Sequence, residues 1–356
     1  MRFDFLMCSE RSGSNLITKI LNAHPEVCGP FPSHIIRTVL LNYHRYGDLG
    51  NDRHWEALTE DVAYFLRNMF AVWKTCPTEA QLRTASHRTF AELVRIAYEM
   101  EAEAHGKTRV FVKENHSYVI APYVLSHFPG SCFVALVRDP RDMALRWKQT
   151  AQLGGVRTAA RQWRTDQSAM LRICSQLQDM DRLFLLRFEE LVTTGREVLE
   201  PLCSFLGLDY SPQMLRFSEQ DLVGTNAQRM PEWADLQKPL MPDNVGRFRG
   251  ELSEVEIRYV EAMCAEEMDA LGYTPDYDAS IPIGALDDAI ADERESDRVL
   301  PDVEREAKDR FWRAVARIEN RSLHRAESPE RVGRFSDAEE GRGRDDPYQA
   351  VRPDRP

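Results

Sequence analysis

Cys132 to Val137 is an unbroken apolar run, ended at once by Arg138-Asp139-Pro140. It is too short for a buried helix and has no polar alternation, so it reads as a strand covered on both faces. Phe3 to Cys8, Arg109 to Lys113 and Leu183 to Arg187 share that character, and stretches with helical spacing separate the four. Short apolar strands alternating with helices predict an α/β fold: a parallel central sheet wound with helices.

The first strand runs into Ser9-Glu10-Arg11-Ser12-Gly13-Ser14-Asn15, and the helical stretch Leu16 to Leu21 follows. A helix start leaves its first N–H groups without intrahelical partners. At the carboxyl edge of a parallel sheet, such groups make an anion site. Gly13 permits close backbone approach, Ser12, Ser14 and Asn15 add neutral donors, and Arg11 adds a fixed charge. A capped surface turn is the alternative. The triphosphate pattern G-x-x-x-x-G-K-[ST] is not met, since the loop has one glycine and no suitably placed lysine.

A second constellation follows the Cys132–Val137 run. Arg138 ends the strand, Asp139 is placed to cap and Pro140 suits a first helical turn. Arg146, Trp147 and Lys148 come about two turns later. An arginine at a strand end with cations on the next helix suits a second phosphate. A salt-bridged helix start accounts for the string taken alone.

Together the two segments resemble the sulfotransferase superfamily that uses 3′-phosphoadenosine 5′-phosphosulfate. Arg11-Ser12-Gly13-Ser14 is similar to its 5′-phosphosulfate loop, and Arg138-Asp139-Pro140-Arg141-Asp142 to its 3′-phosphate motif. Asn22-Ala23-His24-Pro25, Leu185 to Leu191 with Ser204-Phe205-Leu206-Gly207, and Gly246-Arg247-Phe248-Arg249-Gly250 look like further family stretches, in order over about residues 3 to 272.

The resemblance implies a P-loop-NTPase-like sulfotransferase fold and transfer of the sulfuryl group to a hydroxyl or amine, with adenosine 3′,5′-bisphosphate as product and no metal. It implies that Arg11, Ser12, Gly13, Ser14 and Asn15 hold the 5′ end. It also implies that Arg138 holds the 3′-phosphate and that Arg247, Phe248 and Arg249 close over the nucleotide. Arg146 stands where cytosolic members have a phosphate-binding serine, and Phe188 where they have a tyrosine near adenine.

Sulfuryl transfer calls for in-line attack and for cations or oriented donors on the leaving phosphate. Arg11 is the first candidate for an essential residue. The strand Val110 to Lys113 ends on Glu114-Asn115-His116, and Lys113 matches a family lysine. Strict register puts Asn115, which cannot take a proton, where the family has its histidine. Glu114 or His116 is therefore the candidate base, with His116 favoured because imidazole titrates near neutrality. Capping of the next helix is the alternative role for both.

The formal charge of −11 over 356 residues argues against long nucleic-acid or anionic-membrane partners. No stretch reaches the roughly 20 apolar residues of a membrane span, and the start carries no leader pattern. Seven scattered cysteines without C-x-x-C suit a reducing cytoplasm.

Residues 1–280 are expected to form the sulfotransferase domain, with 31–106 a helical insertion on the acceptor side. His34, His44, His54, Tyr43, Tyr46, Trp55 and Trp73 there either line a pocket for a small-molecule or carbohydrate acceptor or pack a core. Residues 281–356 are a charged extension, with 17 acidic and 15 basic residues in the last 66. One helix is expected near 301–322 and disorder beyond it. A homodimer is compatible with the sequence. The rival readings are a P-loop-type nucleotide or metabolite kinase, which needs a magnesium site and a lysine-bearing loop, and a non-catalytic nucleotide-binding homologue.

Overall fold

Alternation along the first strand, β1 (Arg2–Cys8), sends Phe3, Phe5 and Met7 into one core and Leu6 and Cys8 into a second on the opposite face. A two-residue strand, β2 (Val27–Cys28), lies at one edge, followed in the chain by β3 (Arg109–Lys113), β4 (Phe133–Val137) and β5 (Leu183–Arg187). The same division runs through β4, with Phe133, Ala135 and Val137 on one side and Val134 and Leu136 on the other. Each fully buried ring such as Phe5 or Phe133 contributes roughly 1.5–3 kcal/mol of transfer free energy.

The sheet order is β2-β3-β1-β4-β5 and every pairing is parallel. Phe5 pairs with Val112 on one side and Phe133 on the other. The chain leaves central β1 for one edge and returns past it to build the other. Strand order therefore reverses about β1, and a ligand crevice is expected outside the carboxyl ends there.

This computed structural model describes residues 1–150, 153–278, 280–290 and 301–322. The disorder expected beyond residue 322 lies outside them. The apolar runs read from the sequence coincide with β1, β3, β4 and β5. Val27–Cys28 was missed because two residues carry no periodicity. The stretch 252–271 holds two helices, Glu254–Met263 and Ala265–Ala270, separated where Cys264 leaves helical geometry; Ser253 and Glu256 form a capping box at the start of the first.

Between β2 and β3 lie the helices Ile35–Leu41, Asp52–Arg67 and Phe90–Ala104. Asn51 and Thr89 cap the latter two by accepting from Arg53 N–H and Glu92 N–H. A further helix, Asp302–Glu319, lies on Asp52–Arg67. Its Arg317 Nε and the following Arg321 Nε each donate to the fully buried Asp61 carboxylate at 2.7 Å, Arg321 Nη2 donates to it as well, and the Tyr46 hydroxyl donates at 2.9 Å. All seven cysteines are free thiols. Among the described residues no helix is long and apolar enough to cross a membrane.

Candidate active site

A cavity of about 790 Å³ opens at the carboxyl ends of β1, β3, β4 and β5. The residues that follow those four strands meet in it. Its base is the loop after β1. Ser12 Oγ donates to Ser9 O at 2.7 Å, and the Gln167 amide donates to Ser9 Oγ at 2.9 Å, which fixes the turn from below. Arg11 adopts φ 65° and Gly13 φ 93°, both left-handed, and the helix Ser14–Asn22 starts directly after. Its opening N–H groups face the cavity end of the sheet. Asn15 Oδ1 is buried there without a hydrogen-bond partner.

Arg138, at the end of β4, ties the first loop to the other strands. Its guanidinium donates to Arg11 O at 3.2 Å and Asn244 O at 3.1 Å, and stacks 4.1 Å from the Phe188 ring. Phe188 in turn lies against Gly13, where a Cβ would fall 2.4 Å from Phe188 Cδ2. Arg138 Nε is buried and unpartnered. Burial pulls this guanidinium down to about 10. A dry cation with an unused donor is suited to an anion.

Two carboxylates face these cations from the segment Pro231–Gln237. Glu232 stands 3.4 Å from Arg11, and Asp235 accepts from Arg146 at 2.8 Å. Both pairs are partly exposed, where an ion pair contributes about 0–1 kcal/mol. Such contacts are easily exchanged for a stronger anion.

At the end of β3, Lys113 Nζ donates to Asn115 Oδ1 at 2.7 Å, and burial holds this amine below its ordinary pKa. Lys113, Asn115 and His116 line the cavity. His116 Nδ1 lies 3.1 Å from Asp166 Oδ1 and 3.0 Å from the Tyr118 hydroxyl. Asp166 is fully buried, and Tyr118 and Gln162 each donate to the same oxygen at 2.7 Å. Tyr118 gives its only proton to Asp166. With the Tyr118 proton committed to Asp166, the contact between His116 Nδ1 and Asp166 is one in which the ring N–H donates.

Glu114 points elsewhere. Its Oε1 accepts from the Ser33 hydroxyl at 3.3 Å and from Ile36 N–H at 3.4 Å, at the start of the helix Ile35–Leu41. The carboxyl is 1% exposed and does not line the cavity, and burial pushes it up to about 7.

Residues 5–212, more than half of the chain, match the sulfotransferase family. The chain belongs to that family. Among solved structures it is similar to the sulfotransferase domain from the Synechococcus PCC 7002 olefin synthase, with 20% identity, 77% of this chain and 95% of that one covered, and a TM-score of 0.53. The sulfotransferase domain from the curacin biosynthetic pathway gives 16% identity, coverage of 77% and 99%, and a TM-score of 0.49. The first likeness shows the shared sulfotransferase fold.

Of the residues named from the sequence, Arg11, Gly13, Ser14, Asn15, Lys113, His116, Arg138, Arg146 and Phe188 line one cavity, with Ser12 beneath the loop. The stretch Arg247-Phe248-Arg249 does not join them. Arg247 binds Glu251, Arg249 makes two bonds to Asp276 at 2.6 and 2.8 Å, and Phe248 is 1% exposed between Arg141 and Arg249. Of the aromatic and histidine residues proposed for an acceptor pocket, His34 lines the cavity, whereas Tyr46, Trp55 and Trp73 are core residues. Asp166, Glu232 and Asp235 carried no local signal.

Proposed function

We propose that this sulfotransferase moves the sulfuryl group of 3′-phosphoadenosine 5′-phosphosulfate, in line, to a hydroxyl or amine of a small acceptor. The observation that supports the donor most strongly is Arg138. A buried guanidinium with a spare donor is bound to the carbonyl of Arg11 and stacked on the ring that covers Gly13. That links a helix-start anion site to a second cation across an aromatic face, which fits a nucleotide with phosphate at both ends.

On this reading the N–H groups around Gly13, Ser14 and Asn15 hold the 5′ end, and Arg11 offsets charge at the transferring group. Arg138 and Arg146 meet the 3′-phosphate, and the Phe188 ring lies under adenine. The donor supplies an activated sulfuryl group whose leaving group is a phosphate. Lys113 adds a partly desolvated amine beside it. His116 is the base: its Nε2 takes the acceptor proton while Asp166 holds Nδ1–H. Residues 1–280 form the catalytic unit, with 31–106 on the acceptor side and 281–356 an extension.

Calorimetry with adenosine 3′,5′-bisphosphate, paired with transfer of label from the phosphosulfate donor in the presence of a chelator, tests the reading. Binding with chelator-insensitive transfer is expected. Binding without transfer to any acceptor class leaves a nucleotide-binding homologue, and no binding removes the donor assignment.

A further inference from the structure

The helix Val156–Gln178 buries an apolar stripe that includes Val156, Ala160, Met170, Cys174 and Leu177, at the three- and four-residue steps that keep one face turned inward. The middle of that stripe is different. There Trp163, Asp166 and Gln167, which are 0%, 0% and 1% exposed, bring an indole N–H, a carboxylate and an amide into the core. Their spacing of i, i+3 and i+4 sends the three side chains off the helix side by side. A polar group at this depth costs about 1–3 kcal/mol when it is left unbonded, and an aliphatic side chain would continue the stripe without that cost.

Each of the three reaches the end of a different strand. The Trp163 indole N–H donates to Arg138 O at 3.0 Å, directly after β4. Asp166 Oδ1 stands 3.1 Å from His116 Nδ1, after β3. The Gln167 amide donates to Ser9 Oγ at 2.9 Å, directly after β1, and Ser9 O in turn accepts from Ser12 Oγ at 2.7 Å. Because β3, β1 and β4 are neighbours in the sheet, a single helical turn serves the three central strand ends.

The sheet itself does not hold these ends. The parallel register between β1 and β3 stops at Leu6 and Lys113, and that between β1 and β4 stops at Cys8 and Leu136. Ser9, His116 and Arg138 all lie past the last of these pairs. Their positions relative to one another are therefore set from outside the ladder, and the turn Trp163–Gln167 bonds to all three.

We propose that Trp163 and Gln167 are positioning residues of the transfer site, each acting on one end of the donor: Trp163 sets Arg138 for the 3′-phosphate, and Gln167 sets the loop at residues 9–15 for the 5′ end. Asp166, between them, sets the base. This rests on the sulfotransferase reading above. Trp163 acts through the main chain of Arg138, whose carbonyl it holds in the core while the guanidinium reaches Arg11 O and the Phe188 ring from that fixed point. Loss of the indole N–H releases that point and leaves the bonds of Ser9 in place. Loss of the Gln167 amide releases Ser9 and leaves the bond to Arg138 O in place.

The test titrates the full chain with adenosine 3′,5′-bisphosphate and, separately, with adenosine 5′-monophosphate, which lacks the 3′-phosphate. The ratio of the two affinities reports the 3′ end alone. Trp163→Phe keeps a ring in the core and loses the donor; it is expected to lower that ratio about three- to tenfold, with the monophosphate affinity near wild type. Gln167→Leu is expected to weaken both ligands by about the same factor of three to ten and to leave the ratio unchanged. Ser9→Ala removes the same bond from its other side, so its loss should not add to that of Gln167→Leu. Gln167→Met, with a melting temperature for every variant, keeps one misfolded protein from deciding the outcome. A ratio unchanged in Trp163→Phe, a ratio that falls in Gln167→Leu, or losses that multiply between Ser9→Ala and Gln167→Leu overturn the proposal and leave the donor assignment standing. Failure of the wild-type chain to bind the bisphosphate removes the donor assignment, and the positioning proposal falls with it.

Discussion

The ring of Phe188, following β5, occupies the space a side chain on Gly13 would need, with Cδ2 2.4 Å and Cε2 2.6 Å from an added Cβ. Gly13 also holds φ 93°, a left-handed conformation that disfavours L side chains by roughly 1–2 kcal/mol. Both features demand glycine. Gly13→Ala is expected to abolish measurable binding of adenosine 3′,5′-bisphosphate and to lower the melting temperature by several degrees. Phe188→Ala added to it should recover part of the lost stability by opening the space, and little of the affinity, because the backbone strain and the lost ring remain. Full recovery of affinity in the double variant would mean that the loop geometry does not set binding.

The Arg11 side chain is tied by a partly exposed pair with Glu232 at 3.4 Å, so its truncation, which keeps the Arg11 carbonyl for Arg138, should leave the fold intact. Arg11→Ala is expected to reduce turnover by about 10²–10³-fold with an unchanged melting temperature. Near-normal turnover would sink its assignment. The pair also has a partner-side consequence: Glu232 and Asp235 present negative charge where the donor's anions are proposed to sit. Glu232→Gln and Asp235→Asn should each tighten adenosine 3′,5′-bisphosphate severalfold at low salt, with the gain shrinking as salt rises. Calorimetry at two ionic strengths checks both.

Four of five strands were legible because strands buried on both faces are written as local apolar runs, Phe133 to Val137 most plainly. The loop at residues 9–15 was legible because a glycine and small polar residues between a strand and a helix have few other uses. What joins the parts is not local. Nothing near Arg138 says that its guanidinium reaches the carbonyl of Arg11, and nothing near His116 says that Asp166, on the helix Val156–Gln178, stands beside its Nδ1. The sequence left Glu114 and His116 both as candidate bases beside Lys113, with His116 favoured only on the general chemistry of imidazole. Backbone direction separates them: His116 takes φ 54° and lines the cavity, while Glu114 turns to the N–H of Ile36.

His116 and Asp166 should behave as a unit. His116→Ala is expected to lower kcat by about 10²–10⁴-fold. Asp166→Asn should lower it by about 10–100-fold, because an amide in place of the carboxylate no longer fixes the proton on Nδ1. The acid limb of the kcat/KM profile is expected to move in Asp166→Asn and to vanish in His116→Ala, whereas a purely structural defect would scale the profile without moving it. In the double variant, a loss no greater than that of His116→Ala alone shows that Asp166 acts through the imidazole. Multiplying losses would show that it does not.

Glu114 gives the fold a pH dependence of the opposite sign to an ordinary paired carboxylate. Burial raises it from 4.5 to about 7, against the pull of Arg37, so the folded chain binds this proton more tightly than the unfolded chain. Its contribution is fully present below pH about 4.5 and is lost as pH rises through about 7. The shift corresponds to roughly 3 kcal/mol across that window. Glu114→Gln keeps an acceptor for the Ile36 N–H and carries no titrating group. Urea unfolding from pH 5 to pH 8 should therefore show wild type losing stability relative to the variant as pH rises, with the variant the more stable of the two at pH 8. Parallel stability curves would mean that the folded chain does not bind the Glu114 proton more tightly. Turnover at pH 8 supplies the second readout: a base at position 114 predicts a loss of 10²-fold or more in this variant, and a helix-start acceptor predicts near wild-type rates.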